Sequence, residues 1–324
     1  MPKVFIMGGM GHIGGVILDL LTRSHPEVEV RVLARDQDKA DKVTSKYPRA
    51  QCVIGDFASL DLIEMTCRGA DIVINAGPDI THDDTLKAVL QGLQHREGGS
   101  GAKKPYLIHT SGAEQLVSML DTAVHRVTAK LVLSAAPQVK VAILAPAGVK
   151  GISPSVCHPL PITMPAILQC VRAFKSPFMI CEGENAVGMI HVLDLARMYT
   201  VLVDDNAYYF GSATDTPYRR DWMAGLAPLL EKHGVVESGC TVKSVTAAEV
   251  ARRVLFGDDY DPDAPPPPLD SWATHITHGL GANLRVRGSK MRKLGWEPEH
   301  LSYFETMDEV IPAYLEREKE TAAK

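Results

Sequence analysis

The sequence predicts an α/β protein: a doubly wound parallel sheet with a smaller C-terminal region beside it. Three observations carry this. From Lys3 to Gly151 one unit repeats, a short apolar run, a turn and a segment of helical period. Most of the runs are continuously apolar rather than alternating, as strands buried on both faces of a parallel sheet require. A glycine-rich turn follows the first run and opens the first helical segment.

The strand-like runs are Val4–Met7, Val28–Leu33, Gln51–Ile54, Asp71–Asn75, Tyr106–His109 and Val139–Leu144. Between them, Val16, Ile17, Leu20 and Leu21 mark one helical stripe, Leu60, Ile63, Glu64 and Cys67 a weaker one, and Thr85 to Gln94 a third. After Gly151 the rhythm changes. Pro154, Pro159, Pro161 and Pro165 crowd a stretch where regular structure is hard to sustain. Met164, Ile167, Leu168, Val171 and Phe174 form a further apolar stripe at helical spacing. A strand over Gly188–Val192 leads into a helix from about Leu193 to Val203. Next come a short strand Tyr208–Phe210, a helix Tyr218–His233, a stiff polyproline linker Asp261–Leu269, and a last helix from about Tyr303 to Glu318 with Pro312 inside it. The division is therefore 1–150 for the sheet domain and 151–324 for the second region, with 188–206 packing back on the first.

Composition bounds the function. The chain has 324 residues, 45% hydrophobic and 23% charged, and a formal net charge of −5. These values exclude disordered and fibrous classes, and without a basic block no nucleic-acid partner is indicated. Glycines at 8, 9, 11, 14 and 15 and Asp19 break up the apolar N-terminus, so a signal peptide or membrane span is not expected. The six cysteines share no CxxC spacing and read as reduced thiols of a soluble, cytoplasmic protein.

Gly8-x-x-Gly11-x-x-Gly14 is the strongest signal. One glycine permits the tight turn, one lets the backbone approach a pyrophosphate, and one lets helix and strand pack closely. The helix N-terminus offers N–H groups and a partial positive charge to phosphates. The fold is thus read as a Rossmann-type doubly wound sheet with a smaller C-terminal substrate-binding region. Arg35 follows the second strand, where an arginine suits a 2′-phosphate and a carboxylate a ribose hydroxyl. It favours NADP(H) and leaves NAD(H) open, because Asp36 comes next and can instead cap the following helix.

These residues resemble the extended short-chain dehydrogenase/reductase family, the NAD-dependent epimerase/dehydratases, along nearly the whole chain. The segment Gly8-Gly-Met-Gly11-His12-Ile13-Gly14 looks like its phosphate-binding element. Gly55-Asp56-Phe57 is similar to the element touching adenine, and Asn75-Ala76-Gly77 to the loop after the fourth strand. Pro146-Ala-Gly-Val149 resembles the segment beside the nicotinamide. Ile190-His-Val-Leu-Asp194-Leu-Ala196 and Leu294-Gly-Trp-Glu-Pro298 are similar to two motifs of the substrate region. The resemblance implies cofactor contacts at these positions, a small-molecule substrate and a homodimer through the helices flanking the fifth strand, where Val117, Leu120, Val124, Val127 and Leu131 form a stripe.

One departure changes the chemistry. The family uses a Tyr-x-x-x-Lys pair with a Ser or Thr, the tyrosine exchanging a proton with the substrate oxygen. None of the tyrosines, at 47, 106, 199, 208, 209, 218, 260, 303 and 314, has lysine four residues later. Alignment puts Lys130 at the lysine position, as a ribose-holding group, and Arg126 at the tyrosine. Gly112 falls at the Ser/Thr position, with Ser111 able to serve after a one-residue shift. Thr110 and Ser111 at a strand end, and His125 as a replacement acid/base, complete the candidate catalytic set with Lys130. Cys157-His158 reads better as pocket lining than as a nucleophile pair, and His275-x-x-His278 lacks a third metal ligand.

Two functions fit. One is an NADP(H)-binding enzyme acting on a small organic substrate, by hydride transfer or by isomerisation, elimination or cyclisation without net redox. The other is a redox-sensing protein, similar to the NmrA-like relatives that lack the tyrosine.

Overall fold

The computed structural model describes residues 1–77, 82–96, 103–113, 125–201, 207–213, 216–259, 261, 263–265, 271, 273 and 280–322. Val117, Leu120, Val124, His275, His278 and much of the polyproline linker lie outside these residues.

A seven-stranded parallel sheet forms the centre, in the order β10-β6-β5-β4-β1-β2-β3. Its strands are β1 (Lys3–Met7), β2 (Glu29–Ala34), β3 (Gln51–Ile54), β4 (Ile72–Asn75), β5 (Tyr106–Thr110), β6 (Lys140–Pro146) and β10 (Ala207–Gly211). The continuous apolar runs are buried on both faces, as their lack of alternation requires: every residue of β5, and all but the first of β1 and β6, is buried. One face is covered by α1 (His12–Ser24) and α7 (Val192–Val201), through Val16, Ile17, Leu195 and Tyr199. The other is covered by α3 (Leu60–Arg68), α4 (Asp83–Gln94) and α5 (Arg126–Ser134), through Ile63, Val89 and Val132. Strand order reverses between β1 and β4, the point at which ligands bind in doubly wound sheets. Asp36 caps α2 (Gln37–Lys46) by accepting from the Lys39 amide at 2.9 Å.

The second region shares the sheet. β10 pairs with β6 in register from Ala207–Ala142 to Gly211–Pro146. Two further parallel pairs, β7 (Gly148–Lys150) with β9 (Met189–His191) and β8 (Phe178–Ile180) with β11 (Lys243–Val245), form separate two-stranded sheets. Here α6 (Thr163–Phe174), α8 (Arg219–Lys232) and the C-terminal helix Met307–Ala322 enclose a core around Leu168, Trp222 and Ile311. α6 begins inside the proline-rich stretch because Pro165 lies in its first turn, where the missing N–H has no helical acceptor to lose. The C-terminal helix starts four residues later than Tyr303 and keeps Pro312 within it.

His191 and Asp194 tie this region down. Asp194, fully buried, accepts from the backbone N–H groups of Glu299 and His300, and its own carbonyl accepts from the Trp296 indole at 2.9 Å. The His191 and His300 rings stack at 4.0 Å. No helix among the described residues is long and apolar enough to cross a membrane, and all six cysteines are free thiols.

Candidate functional site

The glycine turn closes β1 onto α1 by backbone contact. Gly8 takes φ +76°, and its carbonyl accepts from the Gly11 amide at 2.8 Å. A Cβ at Gly8 would stand 2.5 Å from the Ala76 carbonyl oxygen, and one at Gly14 only 2.1 Å from that of Gly8. Gly8 therefore lets the loops after β1 and β4 meet, and Gly14 lets the first turn of α1 sit on the glycine turn. Gly11 is the N-cap of α1, with no side chain to occupy the free N–H groups that follow.

This turn opens on a cavity of about 1150 Å³ at the carboxyl ends of the strands. Gly11, His12, Ile13, Ala76, Gly77, Thr110, Ser111, His125, Pro146 and Val149 all line it, so most of the residues singled out in the sequence converge. Asn75 orients the β4 loop, its side-chain oxygen accepting from the Gly77 amide at 3.2 Å. Phe57 packs close against Gly77, whose Cβ would come within 2.5 Å of the ring. Asp56 is exposed and caps its own turn through Ala58 and Ser59.

Lys130 and His125 are placed differently with respect to the cavity. Lys130 is exposed on α5 and does not line the cavity, because Thr128, Ala129 and Val132 supply the helix's buried stripe and turn it outward. His125 is not on that helix: α5 starts at Arg126, and His125 precedes it with a left-handed φ of 66°. The two side chains therefore share no helix face. Arg35 is exposed at the end of β2, outside the cavity wall, with Asp36 beside it already held by the Lys39 amide and ammonium.

The strand-end motif separates into distinct roles. The Thr110 hydroxyl is within 2.6 Å of the Tyr199 hydroxyl, which commits it to a buried pair although the residue lines the cavity. Ser111 is buried and lines the cavity, and its hydroxyl has no hydrogen-bond partner among the described residues. Gly112 makes room for a ring: a Cβ there would lie 2.4 Å from His125 Nε2. The position that lacks a hydroxyl is thus the position over which the histidine is seated.

The proline-rich stretch fastens to the glycine turn. Ser155 Oγ donates to the Met10 carbonyl at 2.6 Å, His12 Nδ1 to that of Pro159 at 3.1 Å, and Lys46 to that of Pro154 at 2.5 Å. Gly15 permits this, since a Cβ would come within 2.5 Å of Ser155 Cβ. A carbonyl only accepts, so His12 carries its proton on Nδ1 and presents Nε2 as a buried acceptor. Burial holds the His12 imidazole neutral, with its pKa pushed down to about 4. His158 lines the cavity and is lowered by burial and then by the charges of Arg317, Lys39 and Arg35, while Cys157 stays off the wall.

Sequence reasoning missed the far wall. Arg219, Val187, Met189, Leu280 and Leu284 line the cavity from the second region, and Tyr314, Arg317 and Glu318 reach it from the C-terminal helix. Arg219 belongs to no motif of its own and enters the cavity only through the pairing of distant segments, so nothing local marks it.

Comparison with known proteins agrees with this architecture. Residues 4–95 match the saccharopine dehydrogenase NADP-binding domain, so the chain carries a dinucleotide-binding domain. It is 35% identical over 116 residues to a protein named as an oxidase from Acremonium sp, across 36% of this chain and 32% of that protein. The chain thus aligns with about a third of that relative's length. It is 24% identical to an uncharacterised protein of Saccharomyces cerevisiae, across 94% of this chain and 97% of the other. Among solved structures, a dTDP-glucose 4,6-dehydratase of Bacillus anthracis, in complex with NAD, shares the fold with a TM-score of 0.66 at 13% identity, covering 98% of both chains.

Proposed function

We propose that the protein is an NADP(H)-dependent enzyme that acts on a small organic substrate, with His125 and Ser111 in place of the usual tyrosine–lysine pair. The observation that carries the proposal is the meeting of the glycine turn, the Ser111 hydroxyl and the His125 ring in one cavity.

The residues fit a dinucleotide. The cradle at Gly8 and Gly14 leaves no space for a Cβ, and the first N–H groups of α1, at His12 and Ile13, would hold the phosphates beside Gly11. Asp56, Phe57, Asn75, Ala76 and Gly77 would flank the adenine end, and Pro146 and Val149 the nicotinamide. Arg35 would meet a 2′-phosphate, which favours NADP(H) over NAD(H). When bound, the nicotinamide supplies or accepts a hydride.

The remaining chemistry belongs to side chains. Ser111 has a hydroxyl to donate to a substrate oxygen, and His125 exchanges the proton that the oxygen gains or loses. Thr110 holds the strand end through Tyr199 and stays out of the reaction. The set serves carbonyl reduction or alcohol oxidation. It serves equally an epimerisation or dehydration in which the cofactor is regenerated. The same reading makes the protein a homodimer through α4 and α5, where Val127 and Leu133 are 50% and 42% exposed.

The test is a screen of small carbonyl compounds and alcohols, following NADPH consumption and substrate conversion together. Turnover that falls at least 100-fold in His125→Gln and Ser111→Ala, with cofactor affinity retained, is expected. Conversion without NADPH loss would assign the non-redox branch. Turnover unchanged in both variants would refute the roles of these residues. Cofactor binding without conversion of any compound would match the regulatory alternative instead.

A further inference from the structure

The proline-rich stretch and the C-terminal helix form a strap across the glycine turn. The Ser155 hydroxyl donates to the Met10 carbonyl at 2.6 Å and accepts from the backbone N–H groups of Cys157 and His158 at 3.3 and 3.1 Å, which folds the 155–158 turn against the glycine turn. The Tyr314 hydroxyl donates to the Pro161 carbonyl and joins the C-terminal helix to the same stretch. Arg317 follows on the same face of that helix, at i+3 from Tyr314. Tyr314, Arg317 and His158 accordingly line one cavity with Gly11, His12 and Ile13.

The charge at this place is positive. The Arg317 charge reaches the His158 ring, whose pKa is lowered by burial first and then by Arg317, Lys39 and Arg35. Nearby carboxylates are engaged elsewhere: Asp36 holds the Lys39 ammonium at 2.6 Å, and Glu318 takes both arms of Arg172 at 2.8 and 2.6 Å. Among the described residues, the Arg317 guanidinium enters no ion pair or hydrogen bond.

We infer that Arg317 is a ligand of the cofactor's diphosphate, supplied by the C-terminal helix, and that the strap closes the phosphate site on the side opposite α1. A diphosphate is a dianion, whereas the N-terminus of α1 offers about half an elementary charge and the glycines offer no side chain. A guanidinium meets phosphate oxygens with two parallel charge-assisted hydrogen bonds. Arg317 is the arginine whose own element is fastened to the stretch that holds the turn. Arg219 enters the cavity from its far wall, and Arg35 lies at the end of β2 outside the cavity wall.

This inference rests on the reading that the turn and cavity bind a dinucleotide, and its test separates the two. The full chain is titrated by calorimetry with NADPH, NADH and 2′-AMP, and again as Arg317→Met, Arg317→Lys and Lys319→Met. Both dinucleotides carry the diphosphate, and 2′-AMP carries the 2′-phosphate alone. Arg317→Met should weaken each dinucleotide that the unaltered chain binds by about tenfold or more, as loss of a charge-assisted bond requires. Arg317→Lys should keep part of that affinity, and 2′-AMP should bind every variant as it binds the parent. Lys319→Met removes the same charge from an exposed position of the same helix, off the cavity wall, and should stay within about twofold. Dinucleotide affinity within about twofold in both Arg317 variants would overturn the inference alone. A loss shared by 2′-AMP, or equalled in Lys319→Met, would overturn it as well. Failure of the unaltered chain to bind either dinucleotide would refute the proposed function and this inference with it.

Discussion

Gly14→Ala puts the glycine turn to a graded test. The added Cβ would stand 2.1 Å from the Gly8 carbonyl oxygen, 2.6 Å from its carbon and 3.0 Å from Gly9 Cα. All three are backbone atoms, so no side-chain rotation relieves them. Ordinary contact begins at 3.4 Å, so the first turn of α1 must move away from the glycine turn by about 1.3 Å. Overpacking of this kind costs about 1–3 kcal/mol. The same shift moves the N–H groups of His12 and Ile13 off the phosphate position, and each 1.4 kcal/mol lost there is about a tenfold loss of affinity. We expect NADPH affinity, measured by titration calorimetry, to fall by about 10- to 100-fold. Gly11→Ala, whose Cβ would meet only the Gly8 oxygen at 3.1 Å, should show a smaller loss. Gly69→Ala, with nothing nearer than 3.7 Å, should bind as the parent does. Equal affinities across the series would refute the argument that this turn holds the cofactor.

Other perturbations follow from the same geometry. Lys130→Ala should leave NADPH affinity within about twofold, since Lys130 is exposed and off the cavity wall; a tenfold loss would return it to the site. Arg35→Ser should weaken NADPH more than NADH, and an equal effect on both would remove it from 2′-phosphate recognition. Gly112→Ala would push the His125 ring by about 1 Å, from a 2.4 Å contact, and should lower turnover about 100-fold while cofactor affinity stays. His12 and His191 are both pushed down to about 4 by burial, from an ordinary 6.5. The unfolded chain therefore binds more protons between those values, and stability falls as pH drops through the window from about 6.5 to 4. The shift at His191 corresponds to about 3 kcal/mol as an upper bound, and His12, shifted in the same direction, adds to the loss. Urea unfolding at the two ends of the window measures the loss, and His191→Asn should reduce it. A pH-independent midpoint would contradict the assignment.

The sheet and the glycine turn were legible because they are local. Continuous apolar runs at β1, β5 and β6 have few alternatives to a parallel sheet, and Gly8, Gly11 and Gly14 each answer to a contact within six residues or just across the β4 loop. Asp36 was read both as a cofactor-choosing neighbour of Arg35 and as a helix cap; the Lys39 amide shows the second. The site beyond the turn was less legible. The seat of His125 is one example: α5 begins one residue after it, and no spacing rule announces its left-handed backbone. The alignment that left Gly112 without a hydroxyl concealed its use as the space beneath His125. The bonds of Ser155 to Met10 and of His12 to Pro159 join residues 145 and 147 positions apart, and Arg219 enters the cavity wall from another segment again, so only the folded chain brings them together.

The central claim is that this turn and cavity bind NADP(H), and titration calorimetry of the nucleotide-free protein with NADPH, NADP⁺, NADH and NAD⁺ tests it most directly. The account predicts binding in the micromolar range, about −8 kcal/mol, tighter for the phosphorylated pair and weakened by Gly14→Ala. Absence of heat with all four nucleotides, from a protein that unfolds cooperatively, would contradict it.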